Sequence, residues 1–110
     1  MPRPTRYYSN RQEKSVAKAV GGKKTANSGA TKFSKGDVKT DMFLIECKTQ
    51  EKPQKSIRVQ REWIDKNTEE AFAMNRPYSA VAIDFGDGEN FYIISEKLFK
   101  WLCEFLEEEK

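Results

Sequence analysis

The stretch Gly36-Asp37-Val38-Lys39-Thr40-Asp41-Met42-Phe43-Leu44-Ile45-Glu46-Cys47-Lys48 decides how this chain folds. Phe43-Leu44-Ile45 is a short apolar run bounded by polar residues, the pattern of a buried strand. Glu46 and Lys48 stand at its end. Side chains alternate faces along a strand, so these two project from the same face, about 7 Å apart. A carboxylate and an ammonium at the rim of an apolar strand are costly unless they are paired or employed. A tight turn through Asp41-Met42 folds the preceding segment back and sets Asp37 beside Glu46. The pattern predicts a hairpin with Asp37, Glu46 and Lys48 gathered at one end.

Such a group suits metal-assisted hydrolysis of a phosphodiester. Two carboxylates supply hard oxygen ligands for Mg²⁺ and leave positions open for phosphate and water. The ion stabilises charge in the transition state and lowers the pKa of bound water. A lysine beside it positions the water or neutralises the phosphate.

Composition narrows the chemistry further. The chain has 110 residues, enough for one domain with a single modest core. It contains no histidine, which excludes histidine-based triads and HNH-type nucleases. Acid–base work falls to carboxylates, lysine or metal-bound water. The two cysteines, Cys47 and Cys103, are too few for a zinc site and read as a reduced pair. No apolar run approaches the ~20 residues of a membrane span, and the opening residues do not read as a signal peptide, so a cytoplasmic protein is expected (in the host cytoplasm, if phage-encoded). Charge is split along the chain. Residues 1–61 hold 15 Lys and Arg against 5 Asp and Glu, whereas residues 62–110 hold 5 against 12. A basic half and an acidic half point to one face that meets a polyanion, with a plainly solvated basic surface as the alternative.

Along the chain, residues 1–9 read as a flexible basic arm, with Tyr7-Tyr8 available to stack on bases, and residues 10–110 as one domain. Ser9 or Asn10 caps a helix to about Val20, with Val16, Ala19 and Val20 on its apolar side and Gly21-Gly22 ending it. That helix carries Glu13, the only acidic residue before Asp37. It is either one arm of a surface salt bridge or a third carboxylate brought to the metal. A strand over 23–33 follows, holding Asn27-Ser28-Gly29-Ala30, where small residues admit a phosphate and Ser28 can donate to it. An ordinary turn or bulge uses the same residues. A polar loop over 49–55 leads through a short strand or an extended lead-in at 56–59 to a helix over 60–74, with Trp63, Ile64, Asn67, Ala71 and Phe72 along one side and Asn75 as left-handed cap. Residues 78–85 read as a buried strand, Gly86-Asp87-Gly88 as a turn and 91–94 as a returning strand. Ser95 caps a last helix whose Leu98, Trp101, Leu102, Phe105 and Leu106 form a stripe for the core or a dimer contact. The expected class is α/β, a central mixed β-sheet flanked by helices.

A helix bearing Glu13, then Ser28-Gly29-Ala30, Gly36-Asp37-Val38 and Leu44-Ile45-Glu46-Cys47-Lys48, resembles the PD-(D/E)xK nucleases, and among them the archaeal-type Holliday junction resolvases and their small phage-encoded relatives. Order and spacing agree over about residues 10–50, with Gly36 where the motif has proline. The resemblance implies a restriction-endonuclease-like core and a homodimer that cuts four-way DNA junctions. It makes Glu13, Asp37, Glu46 and the Cys47 carbonyl ligands of Mg²⁺, with Mn²⁺ as a substitute, and makes Glu13, Asp37, Glu46 and Lys48 the catalytic set. Ser28, Lys32, Lys35 and Arg11 would then contact DNA. Two alternatives are a related endonuclease acting on flaps, mismatches or duplex, and a non-catalytic nucleic-acid-binding domain in which Glu46 and Lys48 form a structural ion pair.

Overall fold

The computed structural model describes residues 4–25 and 37–110. Its elements run α1 (Thr5–Val20), β1 (Lys23–Lys24), β2 (Val38–Lys39), β3 (Phe43–Thr49), α2 (Arg61–Ala73), β4 (Tyr78–Asp84), β5 (Asn90–Ile93) and α3 (Glu96–Glu109). The five strands form one sheet in the order β1-β2-β3-β4-β5. β3 and β4 are parallel and every other pair is antiparallel. The expected mixed sheet between helices is therefore what the chain builds. α2 supplies the crossover that a parallel pair requires.

The hairpin forms where the sequence placed it. Thr40 Oγ1 accepts hydrogen bonds from the amides of Met42 (3.2 Å) and Phe43 (2.9 Å), closing the turn. Val38 then pairs with Ile45 and Lys39 with Leu44. Alternation divides β3 between the helices. Ile45 joins Val16 of α1, Val38, Ala80 and Ala82 in the principal core, with Phe43 and Cys47 packed beside them. The opposite face carries Leu44, Glu46 and Lys48 toward α2. Asn67 of α2 is buried and ties the helix to the sheet, its Nδ2 donating to the carbonyls of Leu44 and Ala80 at 3.1 Å each.

Several expectations change in detail. α1 begins at Thr5, so residues 5–9, expected within a loose arm, lie in the helix. Its buried side is Gln12, Glu13 and Val16, whereas Ala19 and Val20 are exposed. Gly21 ends it in the left-handed region at φ 67°, open to a residue without a side chain. The strand expected over 23–33 is seen at Lys23–Lys24, and residues 26–33 lie outside the described residues. Residues 56–59 are an extended lead-in and not a strand. Phe72, expected on the inner side of α2, is 85 % exposed. Asn75 takes the predicted left-handed cap at φ 58°, and Ser95 Oγ caps α3 by accepting from the Leu98 amide at 3.1 Å. No described helix is long and apolar enough to cross a membrane.

Candidate active site

Continuing the β2–β3 register by one residue sets Asp37 opposite Glu46. The Asp37 amide donates to the Ile45 carbonyl at 3.0 Å, and its Oδ2 accepts from the Cys47 amide at 2.7 Å. The aspartate is thus held at both its backbone and its side chain. The Glu46 carboxyl faces that of Asp37, so each disfavours ionisation of the other. Burial, and then the charge of Asp37, push Glu46 up to about 8. Lys48 pulls in the other direction but does not prevail. Its ammonium lies over the ring of Trp63, 4.8 Å from the centroid.

Glu13 arrives from α1 on the other side of Asp37. It is buried, and its Oε1 lies 3.7 Å from Lys24 Nζ on β1. Burial raises its proton affinity first and the Asp37 charge second; Lys24 and Arg6 oppose both. The salt bridge proposed for Glu13 therefore exists, but with the carboxylate turned inward toward Asp37. Cys47 sits among all three acids: burial pushes its thiol up, and the charges of Asp37, Glu13 and Glu46 add to the shift. Both cysteines are free, Cys103 on the exposed surface of α3.

Glu13, Asp37, Glu46 and Lys48 are thus brought to one end of the β2–β3 hairpin, with Cys47 between them. Ser28, Lys32 and Lys35, expected to contact DNA, lie outside the described residues. Arg11 is exposed on α1, its guanidinium 6.0 Å and 5.7 Å from the ring centroids of Tyr7 and Tyr8. The two rings meet edge to face. A basic aromatic surface is present there, carried on a helix.

Three contributors escaped the sequence reading. Gln12 is buried, and its Nε2 donates to the Lys48 carbonyl (3.0 Å), the Ala82 carbonyl (3.2 Å) and Asn90 Oδ1 (3.2 Å). It locks the end of β3 that bears Lys48 to β4 and β5. Its own Oε1 finds no partner. Lys24 gives Glu13 its counter-charge, and Trp63 gives Lys48 a platform. Only Trp63 left a signal, as an aromatic near the start of the helix after the motif. A hollow of about 460 Å³, lined by Lys23, Lys39, Thr40 and Arg76, opens at the far end of the hairpin from these groups. Charge, and not cavity size, marks the site.

Among the described residues, no three His, Cys, Asp or Glu side chains close into a ready-made metal cage. The donor set still fits Mg²⁺, which is held through one or two carboxylates and completes its shell with water and phosphate oxygens. Two carboxyls set face to face across a strand pair are the groups a hard dication would relieve. Compared with protein-family models, curated proteins and solved structures, the chain matches none. The reading of the site therefore stands on its residues and their geometry.

Proposed function

We propose that this chain is a metal-dependent endodeoxyribonuclease of the PD-(D/E)xK class, with a restriction-endonuclease-like core, acting on branched four-way junctions as a pair of identical copies. The observation that carries the reading is the β2–β3 register, which sets Asp37 opposite the half-buried Glu46, with Lys48 two residues on; burial first, and the Asp37 charge second, push Glu46 up to about 8. The non-catalytic alternative needs a Glu46–Lys48 ion pair, whereas the Lys48 ammonium lies over the Trp63 ring, 4.8 Å from its centroid.

Asp37, Glu46 and Glu13 would hold the ion, with the Cys47 carbonyl as a further donor. Bound Mg²⁺, or Mn²⁺ in its place, would polarise the phosphate and acidify a water. The chain's own residues do the rest. Glu46 would serve as a ligand in its deprotonated form. Asp37 is kept in place by the Cys47 amide, so its carboxylate needs little reorganisation. The Lys48 side chain lies over the Trp63 ring, where it would meet an incoming phosphate, and Gln12 holds the backbone that carries it. Lysines and arginines of the first half supply the phosphate contacts that position DNA without reading its sequence. A junction presents two equivalent strands, which a two-fold pair of sites matches.

The test is cleavage of labelled four-way junction, flap and linear duplex, with and without Mg²⁺. Cutting of the junction that requires the metal and is lost in Lys48→Ala, with DNA binding retained, is the expected result. Equal cutting of flap or duplex would leave a nuclease of broader substrate. No cutting of any of them in Mg²⁺ or Mn²⁺ would overturn the proposal.

A further inference from the structure

α3 departs from the rule that the other helices follow. It has 14 residues, yet none of them is buried. Trp101, Leu102, Phe105 and Leu106 are 54, 36, 44 and 56 % exposed. With Leu98 they lie along one side at helical spacing. A helix of this length is marginal in water unless a face of it is packed. Trp101 and Phe105 stack on each other with centroids 5.4 Å apart, but that contact stays within the helix.

The charges along the stripe say what covers it. At 100° per residue Leu98, Leu102 and Phe105 run down its middle, and Lys97, Glu104 and Glu108 fall together on one flank. That flank is basic at its N-terminal end and acidic at its C-terminal end. We propose that α3 pairs antiparallel with α3 of a second copy of this chain, about a two-fold axis that passes by Leu102. Antiparallel helices bring like flank against like flank, so Lys97 of each copy meets Glu104 and Glu108 of the other. The same alignment sets Leu98 level with Leu106 and opposes the two helix dipoles. A parallel pair would set this flank against the other flank of the partner, leaving Lys97 without the glutamates, and would align the dipoles. An unrelated apolar partner would give no reason for the sign reversal along one flank.

Size and position agree with this pairing. Covering the exposed parts of these side chains and the stems beside them removes on the order of 500 Å² per copy, near the lower limit of specific interfaces. A hollow of about 260 Å³ lined by Thr68, Pro77, Tyr78, Lys97, Leu98 and Trp101 adjoins the N-terminal end of the stripe. β5 runs antiparallel to β4, with Ile93 opposite Val81, so α3 starts near the end of the sheet away from Lys48. Pairing there leaves both carboxylate clusters uncovered.

The inference does not rest on the nuclease reading, because it is tested without DNA or metal. Sedimentation of the whole chain between about 1 and 100 μM should show a monomer–dimer equilibrium with a dissociation constant on the order of micromolar. Leu102→Glu with Phe105→Glu should be monomeric throughout that range and still unfold cooperatively, since neither residue belongs to the core. Lys97→Glu should weaken the dimer about tenfold, and adding Glu104→Lys and Glu108→Lys to it should restore association. In a Cys103→Ser background, Leu102→Cys should cross-link to itself on mild oxidation, whereas Lys97→Cys should not. A monomer at 100 μM, a dimer indifferent to the double glutamate variant, or self-cross-linking of Lys97→Cys would each overturn the proposal. A monomer that cuts DNA refutes the pairing, and with it the paired action proposed above, but leaves the nuclease; a dimer that cuts nothing refutes the nuclease alone.

Discussion

β3 and β4 lie side by side, and each carries a buried or half-buried acid, Glu46 within β3 and Asp84 at the end of β4, but the two acids live under opposite conditions. Asp84, at the end of β4, is 2 % exposed, and its Oδ1 accepts from the amides of Gly86 (2.7 Å), Asp87 (3.1 Å) and Gly88 (3.1 Å). Those donors replace water and fold the turn. Gly86 is required there: at φ 98°, a Cβ would also stand 2.5 Å from the Lys52 carbonyl. Glu46, one strand away, faces Asp37 and is pushed up to about 8 by burial and by that neighbour's charge. Asp84 is an acid that the fold has satisfied; Glu46 is one it has left in need of a cation or a proton. Burial of an acid is therefore no mark of a site. Burial without adequate donors is.

Removing the charges at the unsatisfied end should have the largest effect, and on function alone. Asp37→Asn and Glu46→Gln should each lower cleavage of a junction by about a thousandfold or more, with DNA binding close to that of the parent. Neither should lower the thermal stability of the metal-free protein at pH 8, because each relieves repulsion. Parental cleavage by either variant would move the metal elsewhere. Asp84→Ala should invert the pattern. Orphaning three amides costs about 2–3 kcal/mol of stability, read by urea unfolding, while the folded fraction cuts at nearly the parental rate. A stability-neutral Asp84→Ala with poor cleavage would place Asp84 in the site and erase the contrast.

Glu13 lies between these extremes, since Lys24 answers part of its charge. Glu13→Gln should slow cleavage by more than about tenfold, equivalent to ~1.4 kcal/mol, with little change in stability. An unchanged rate would return Glu13 to a purely structural ion pair with Lys24.

The smallest effect is on pH dependence, and its sign follows from Glu46. The folded protein holds the Glu46 proton more tightly than the unfolded chain does. The stability this gives is complete below the ordinary value of 4.5 and is lost as pH rises toward about 8. Glu13, shifted the same way, adds to the slope. Without divalent metal, the melting temperature should therefore fall between pH 5 and 8, and Glu46→Gln should flatten the decline. A slope that Glu46→Gln leaves intact would assign it to other groups. Mg²⁺ should raise the melting temperature most at the alkaline end, where the carboxylates are free to bind it.

What could be read from the chain itself was local. Thr40 to Phe43 make a turn because a hydroxyl stands two and three residues before free amides. Asn75 and Ser95 cap helices through their own side-chain and backbone chemistry, and the alternation in β3 sends Glu46 and Lys48 to one face. Asp37 opposite Glu46 follows from that hairpin, across nine residues. Only the tertiary structure could decide the rest. Gln12 reaches the Lys48 carbonyl across 36 positions and Asn90 across 78, and a buried glutamine before a glutamate on a helix has no signature of its own. Whether Glu13 faces solvent or Asp37 depends on how α1 lies on the sheet, which its periodicity left open: Val20 was expected inside and Gln12 was not. The stripe on α3 has one pattern whether it fills a core or faces outward. The reason is physical. Turn and strand preferences arise from contacts a few residues apart, whereas burial and the proton affinities that follow from it are set by which distant segments exclude water from a side chain.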